Sequence, residues 1–309
     1  MTSPSLIALA AAAGLGAGSG TRSLPAPAAD FFFPGGPDTN FSYHNVATLG
    51  PSPRIVVENA TREWQLLESN PAQQYFGGGS VTEDSCSRMD LVRGQAAEFL
   101  GASGGASEIA LMPSTTVGFN EFAGGLVSSG YLQQGDRVLT SDQEHQGAIG
   151  CWQFYGDGYK PLNHTGLGIL KLDRAEVPVP PPSADEIVDV FRKAMTPRTK
   201  VISVSHVLTT NGLQMPIKKL AQLAHAHGAI IVVDGAQAPG GLNVNVTELE
   251  VDAYATSCHK WMLAPKGNGL LYIKQAIQPH VHSIFLSGGF TACEYYSDFT
   301  SSSSLPVHP

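Results

Sequence analysis

The sequence has little charge and no long apolar run. Only 14% of its 309 residues are charged, and the formal net charge of −8 comes without any run of lysine or arginine. Nucleic acid binding requires a basic surface, so no such partner is indicated. The apolar run at residues 6–18 is too short to cross a bilayer, so no membrane-spanning segment is expected.

Cysteine is also scarce. The four cysteines are widely spaced, at Cys86, Cys151, Cys258 and Cys293. They form no Cys-x-x-Cys pair and no cluster with histidine, so neither a zinc site nor a disulfide framework is indicated. We expect free thiols and no metal ion.

The N-terminal part, residues 1–29, differs in composition from the rest. It contains the short apolar run, followed by small residues and prolines. The run has the length of a signal-peptide core, but no lysine or arginine precedes it. Two interpretations stay open: a targeting or export segment, or a disordered tail. The cytoplasm is the favoured location.

Glycine and proline are abundant, with 34 and 21 residues. They separate segments of regular apolar spacing and therefore mark turns. The spacing predicts helices at 54–68, 84–100, 115–127, 185–195 and 216–228, and strands at 108–112, 136–141, 201–207, 229–234 and 269–273. Strands that alternate with helices predict an α/β fold with a mostly parallel sheet and helices on both faces. Residues 30–105 would form an extended arm and helices, and residues 106–285 the large domain.

Candidate site residues lie where predicted strands end, which is where such sheets bind ligands. Asp234 ends an apolar strand, His206 lies at the end of another, and the pair Glu144-His145 follows a third. An imidazole such as His145 can stack on a flat ring and move protons, although a plain loop histidine is the alternative. Asp234 could pair with a protonated pyridine nitrogen or simply cap the next turn.

Lys260 lies in a stretch with few charges, within Ser257-Cys258-His259-Lys260-Trp261. A lysine in partly apolar surroundings has a lowered pKa, and its neutral amine can attack an aldehyde. Earlier in the chain, Thr115 and Thr116 join a strand to a helix, and a helix N-terminus can hold a phosphate. Ser257 and His259 could add donors there, whereas ordinary helix capping is the alternative role for the threonines.

The order of these motifs resembles the class V aminotransferase family of enzymes that depend on pyridoxal 5′-phosphate (PLP) and have fold type I. The resemblance covers about residues 41–300 and is nearest to isopenicillin N epimerase-like and cysteine desulfurase-like proteins. It implies a seven-stranded-type, mostly parallel sheet, the large domain of a PLP-dependent transferase. The smaller C-terminal domain of the family is expected to be missing, with residues 286–309 as its truncated start.

The resemblance also implies a role for each site residue. Lys260 would carry PLP as an internal aldimine, and His145 would stack on the ring and act with Lys260 in catalysis. The cofactor-binding set it implies is Thr115, Thr116, His145, Thr209, Asp234, Gln237, Ser257, His259 and Lys260. Within it, Asp234 would pair with the ring nitrogen, Gln237 and Thr209 would lie near the ring oxygen, and Asn45 would contact the substrate.

The implied function is a PLP-dependent reaction on an amino acid, with an epimerase or a C–S lyase favoured. A class V aminotransferase and a truncated homologue that binds PLP but is catalytically impaired are the alternatives. A homodimer is expected, because family members build each active site with a loop of the partner subunit. A nucleotide-binding domain is disfavoured, since neither a G-x-G-x-x-G loop after a strand nor a Walker-type loop is present.

Overall fold

The computed structural model describes residues 30–32, 43–71, 83–159, 164–180 and 183–285; for residues 83–88, Tyr159 and His164 it describes the backbone alone. The predicted tail at 1–29 and the predicted C-terminal segment at 286–309 therefore lie outside the described residues, as do most of residues 30–42. The domain boundaries stay predictions.

Nine strands are described. They are β1 Ile109–Met112, β2 Arg137–Ser141, β3 Gly158–Tyr159, β4 His164–Thr165, β5 Lys171–Ala175, β6 Thr199–Ser205, β7 Ile230–Asp234, β8 Ala253–Ser257 and β9 Gly269–Ile273. Seven form one sheet in the order β1-β9-β8-β7-β6-β2-β5, and β3 pairs with β4. Strands β5, β2, β6, β7 and β8 run parallel, whereas β9 is antiparallel to both β8 and β1.

Six α-helices are described. They are α1 Arg54–Ser69, α2 Glu83–Leu100, α3 Thr115–Ser128, α4 Gln146–Tyr155, α5 Ala184–Ala194 and α6 Ile217–Ala226. A capping box of Ser183 and Glu186 begins α5: the side chain of each residue accepts a hydrogen bond from the backbone N–H of the other.

Strand β7 packs against helices on both faces of the sheet. Its five residues are all buried, as expected for a parallel strand covered on both faces. Because strand side chains alternate, Ile231 and Val233 join a core cluster with residues of α2, α5 and α6, while Ile230 and Val232 join a second cluster with α3 and α4. The predicted α/β fold, with a seven-stranded, mostly parallel sheet and helices on both faces, is confirmed.

Besides the two-residue strands β3 and β4, three elements were not predicted, and each of the three has an atypical sequence. Strand β5 is a polar edge strand, Lys-Leu-Asp-Arg-Ala, and β8 contains two alanines, which are depleted in strands. Helix α4 contains two glycines, which lower its helix propensity.

Among the described residues, no helix is both long and apolar enough to cross a membrane, and no cluster of potential metal ligands is found.

We expect Phe191→Ala to reduce the free energy of unfolding by about 3–5 kcal/mol, because truncating a fully buried phenylalanine leaves a cavity. Urea unfolding measures the change. Lys193→Ala, at an exposed position of the same helix, is the control. Equal effects of the two substitutions would contradict this packing.

Candidate active site

The predicted site residues converge at the carboxyl edge of the sheet. Asp234 ends β7, Ser257 ends β8, and Ser205 ends β6 directly beside Asp234 in the strand register. The loop after β2 brings Glu144 and His145 to the same edge. This is the position at which parallel α/β sheets bind ligands.

Asp234 is 5% exposed. Its Oδ1 accepts the Ala236 N–H at 2.8 Å. Burial raises the pKa of the carboxyl group, and the backbone bond from Ala236 and the charges of Lys260 and His145 lower it. Lys260 and His145 are therefore the side chains that favour the charged carboxylate.

Lys260 lies in a tight loop between β8 and β9. The N–H of Ala264 donates to the Cys258 carbonyl (2.9 Å), and the N–H of Leu263, which has a φ of 57°, donates to the Lys260 carbonyl (3.1 Å). Burial lowers the pKa of the Lys260 amine, while Asp234 acts in the opposite direction. The loop thus supplies an amine that deprotonates more readily than a surface lysine.

A group of hydroxyl donors lies at the N-terminus of α3. The Thr115 N–H donates to Ser257 Oγ at 2.9 Å, and the two hydroxyls are 2.8 Å apart. Nearby along the chain, Nδ1 of His259 is buried and has no hydrogen-bond partner among the described residues. A buried imidazole nitrogen without a partner is costly, so it suits a ligand with a strong acceptor such as phosphate. Thr116 lies one residue into α3, near Gly147: a Cβ added there would be 2.6 Å from the Thr116 hydroxyl.

His145 caps the N-terminus of α4. Its Nδ1 accepts the Gly147 N–H at 3.0 Å, so in the neutral ring the proton is on Nε2. The residue is exposed at the edge of the sheet. Its ring is therefore available to a ligand, with a donor at the free nitrogen.

Glu144 was not assigned a role from the sequence, although it precedes His145. Its carboxylate accepts the Ser141 hydroxyl at 2.5 Å, and the Ser205 N–H and hydroxyl at 2.8 and 2.6 Å. It therefore joins the ends of β2 and β6. Burial raises the pKa of this carboxyl group to about 7, and the charge of Asp234 adds to the increase.

A buried pair, His206 and Tyr254, lies beside Asp234: the His206 N–H donates to the Asp234 carbonyl at 2.8 Å. His206 Nδ1 is 3.0 Å from the Tyr254 hydroxyl, and both residues are buried. Burial lowers the pKa of His206 to about 4, so the imidazole is neutral at physiological pH. Gly235 permits this packing, because a Cβ there would lie 2.0 Å from the Tyr254 ring.

The arm at residues 43–50 closes over the Lys260 loop. The Gly50 N–H donates to the His259 carbonyl (2.8 Å), and Gln237 Nε2 donates to the Ala47 carbonyl (2.9 Å). Asn45 lies in a turn of this arm, where its Oδ1 accepts the Thr48 hydroxyl at 2.9 Å. The arm is thus not simply extended as predicted. The substrate contact predicted for Asn45 stays a prediction.

Thr209 lies in an exposed turn after His206. Its neighbours Thr210 and Asn211 donate to Gln143 Oε1 at 3.3 and 2.9 Å, which ties the turn to the loop that carries His145. The turn is therefore part of the site's rim. The contact predicted between Thr209 and a ring oxygen stays a prediction.

Comparison with known proteins agrees with this geometry. Residues 43–306 match the family model for class V aminotransferases. Isopenicillin N epimerase from Amycolatopsis lactamdurans is 38% identical over 146 residues, 47% of this chain and 34% of that protein. A probable cysteine desulfurase from Vibrio cholerae is 30% identical over 236 residues, 76% of this chain and 54% of that protein.

A solved structure has the same architecture. Apo cysteine desulfurase from Thermococcus onnurineus superposes with a TM-score of 0.62 at 25% identity, over 79% of this chain and 56% of that one. The fold is of the α/β type that PLP-dependent transferases have. The chain belongs to the class V aminotransferase family. It spans about half the length of these relatives, or less.

The cofactor of this family is PLP, and the residues present fit it. The site offers an amine with a lowered pKa, a buried carboxylate and hydroxyls at a helix N-terminus. Two residues after Ser257, it also offers the His259 Nδ1, which has no hydrogen-bond partner among the described residues. The amine can bind the aldehyde of PLP, the carboxylate can pair with its pyridine nitrogen, and the hydrogen-bond donors can hold its phosphate.

Gly50→Ala should displace the arm, because the added methyl group would lie 1.9 Å from the Lys260 carbonyl oxygen. Such overpacking costs about 1–3 kcal/mol, so we expect PLP affinity to fall by about tenfold or more. Hydrogen exchange at residues 43–50 should accelerate as well. Gly94→Ala is the control, since a methyl group there meets nothing within 4 Å. Unchanged exchange in Gly50→Ala would disprove the close approach.

Glu144→Gln should change how stability depends on pH. The pKa of the carboxyl group is about 7 in the folded chain against 4.5 ordinarily, so between these pH values the folded state holds a proton that the unfolded state has lost. Stability then falls as pH rises through this window, by at most about 1.4 kcal/mol per unit, and the substitution removes that contribution.

Urea unfolding at pH 5 and pH 8 measures this effect. We expect the wild type to lose more stability than Glu144→Gln between the two pH values. Glu58→Gln, the same substitution at an exposed position of α1, is the control. A difference between wild type and Glu144→Gln that does not vary with pH would count against a buried carboxyl group.

Proposed function

We propose that this chain binds PLP through Lys260 and acts on an amino acid, in an epimerase or C–S lyase type of reaction. One observation carries the proposal. The Lys260 amine, with its pKa lowered by burial, lies close enough to the buried Asp234 for their charges to interact. A reactive amine and a carboxylate for a pyridine nitrogen are the two groups that PLP chemistry requires of its protein.

When bound, PLP supplies an aldehyde that captures amines and a ring that accepts an electron pair from the substrate. The residues of this chain would bind the cofactor and move the protons. Lys260 would hold the cofactor, and its amine would move the α-proton of the substrate. Asp234 holds a proton on the ring nitrogen. His145 would contact the ring, and Thr115, Thr116, Ser257 and His259 would bind the phosphate.

The type of reaction rests on the relatives. Two of them carry the name isopenicillin N epimerase, and others are cysteine desulfurases. Burial raises the pKa of Cys151 and Cys258 to about 12, so these two thiols are poor nucleophiles at neutral pH. A reaction that needs only proton transfer by Lys260 therefore fits the described residues better than one that needs a thiolate from either cysteine.

A class V aminotransferase reaction and a homologue that binds PLP without turnover are the alternatives. We also propose that the chain forms a homodimer, on the family resemblance alone. The cytoplasmic location stays a prediction from the sequence.

Borohydride reduction of the PLP-loaded protein, followed by peptide mass analysis, tests the attachment. We expect one cofactor on Lys260, and Lys260→Ala should lose both the adduct and the absorbance of the lysine-bound cofactor. Lys266 provides an internal control: burial also lowers its pKa, but its amine donates to the Gly50 carbonyl at 2.5 Å.

The Lys266→Ala variant should keep the adduct on Lys260. Labelling of Lys266 in the wild type, or an unchanged adduct in Lys260→Ala, would refute the assignment.

A panel of L- and D-amino acids in deuterated water tests the reaction type. An epimerase exchanges the α-proton and inverts the configuration, a C–S lyase releases a sulfur product from cysteine or cystine, and a transaminase releases a keto acid. We expect α-proton exchange with at least one amino acid. Binding of PLP without any exchange would instead support the impaired homologue.

A further inference from the structure

Trp261 directly follows Lys260, and its side chain reaches back to the strand end that carries Asp234. The indole N–H donates to Gln237 Oε1 at 2.7 Å. The indole is 39% exposed, whereas Gln237 is only 9% exposed. Gly240 makes room for this loop, since a Cβ there would lie 2.5 Å from the Trp261 carbonyl.

The two partners of Gln237 together leave one orientation for its amide. An indole N–H is only a donor, so it must face the amide oxygen. The Ala47 carbonyl is only an acceptor, so it must face the amide nitrogen, which donates to it at 2.9 Å. A flipped amide would place donor against donor and acceptor against acceptor.

This orientation leaves one amide N–H of Gln237 without a partner among the described residues. Under the proposed function, the ring oxygen of PLP is the acceptor expected beside Gln237. The flipped amide would present its oxygen to the cofactor instead, and two acceptors would repel each other. The donor character of Gln237 toward the cofactor therefore depends on the indole N–H of Trp261.

We propose that Trp261 is a positioning residue, which locks the Gln237 amide so that its N–H faces the cofactor and the arm together. The proposal rests on the proposed function for the cofactor, but its protein contacts exist without it. Trp261 thereby links the Lys260 loop, the Asp234 strand end and the arm through a single amide.

Protein without added cofactor gives the first test. The indole N–H resonance of Trp261 in a ¹⁵N-labelled sample should shift when Gln237 is changed to leucine, because the hydrogen bond is lost. The Trp64 resonance, from an indole that is 67% exposed on α1, should not move. An unchanged Trp261 resonance would overturn the proposal, whether or not the chain binds PLP.

PLP-loaded protein gives the second test, in which absorbance follows the pH titration of the bound cofactor. A donor at the ring oxygen stabilises the deprotonated form. Trp261→Phe should therefore raise the midpoint by about 1–2 pH units, the effect of one hydrogen bond to a charged acceptor. Trp64→Phe is the matched control and should leave the midpoint in place.

A double-mutant cycle separates positioning from packing. Trp261→Phe combined with Gln237→Leu should shift the midpoint no further than Gln237→Leu alone, since both remove the same donor. Additive shifts, or an unshifted midpoint in Trp261→Phe, would overturn the proposal. If wild-type protein shows no absorbance of bound cofactor at all, the proposed function fails. The resonance test alone then decides whether Trp261 holds the Gln237 amide in one orientation.

Discussion

The burial of the Asp234 carboxylate at the end of an apolar strand is the constraint on which the site depends. Burial raises the pKa of this carboxyl group, whereas the hydrogen bond from the Ala236 N–H and the charges of Lys260 and His145 lower it. The same low-polarity surroundings lower the pKa of Lys260. The same buried environment therefore shifts the pKa of both side chains. Burial disfavours the charged form of each, and the attraction between the two charges favours both charged forms.

The surrounding contacts hold this arrangement in place. Glu144 joins the ends of β2 and β6 beside Asp234, and His206 bonds both the Asp234 carbonyl and the Tyr254 hydroxyl. The arm is joined to the Lys260 loop by the Gly50 N–H, which donates to the His259 carbonyl, and to Gln237 by the Ala47 carbonyl. Strand ends, loop and arm are thus joined by hydrogen bonds from buried or half-buried groups, which suits a site that must hold a flat, charged cofactor in one orientation.

The local parts of this site were predictable from the sequence. Asp234 after an apolar strand, Lys260 in a stretch with few charges and the threonines at the start of α3 are signals contained within a few residues. The contacts between distant segments were not, because nothing near Gly50 or Ala47 indicates that the arm reaches residues more than 180 positions later. Similarly, β5 and β8 have weak strand propensity and form because their neighbours in the sheet pair with them.

The ionisation of Lys260 in cofactor-free protein tests this account most directly. An NMR titration of ¹³C-labelled lysines, with Lys260 assigned by substitution, measures the pKa of its amine. Burial should place it below the ordinary value of 10.5, and Asp234→Asn should lower it further, because the carboxylate favours the charged amine. A pKa at or above 10.5 in the wild type, or one that Asp234→Asn does not change, would contradict the account.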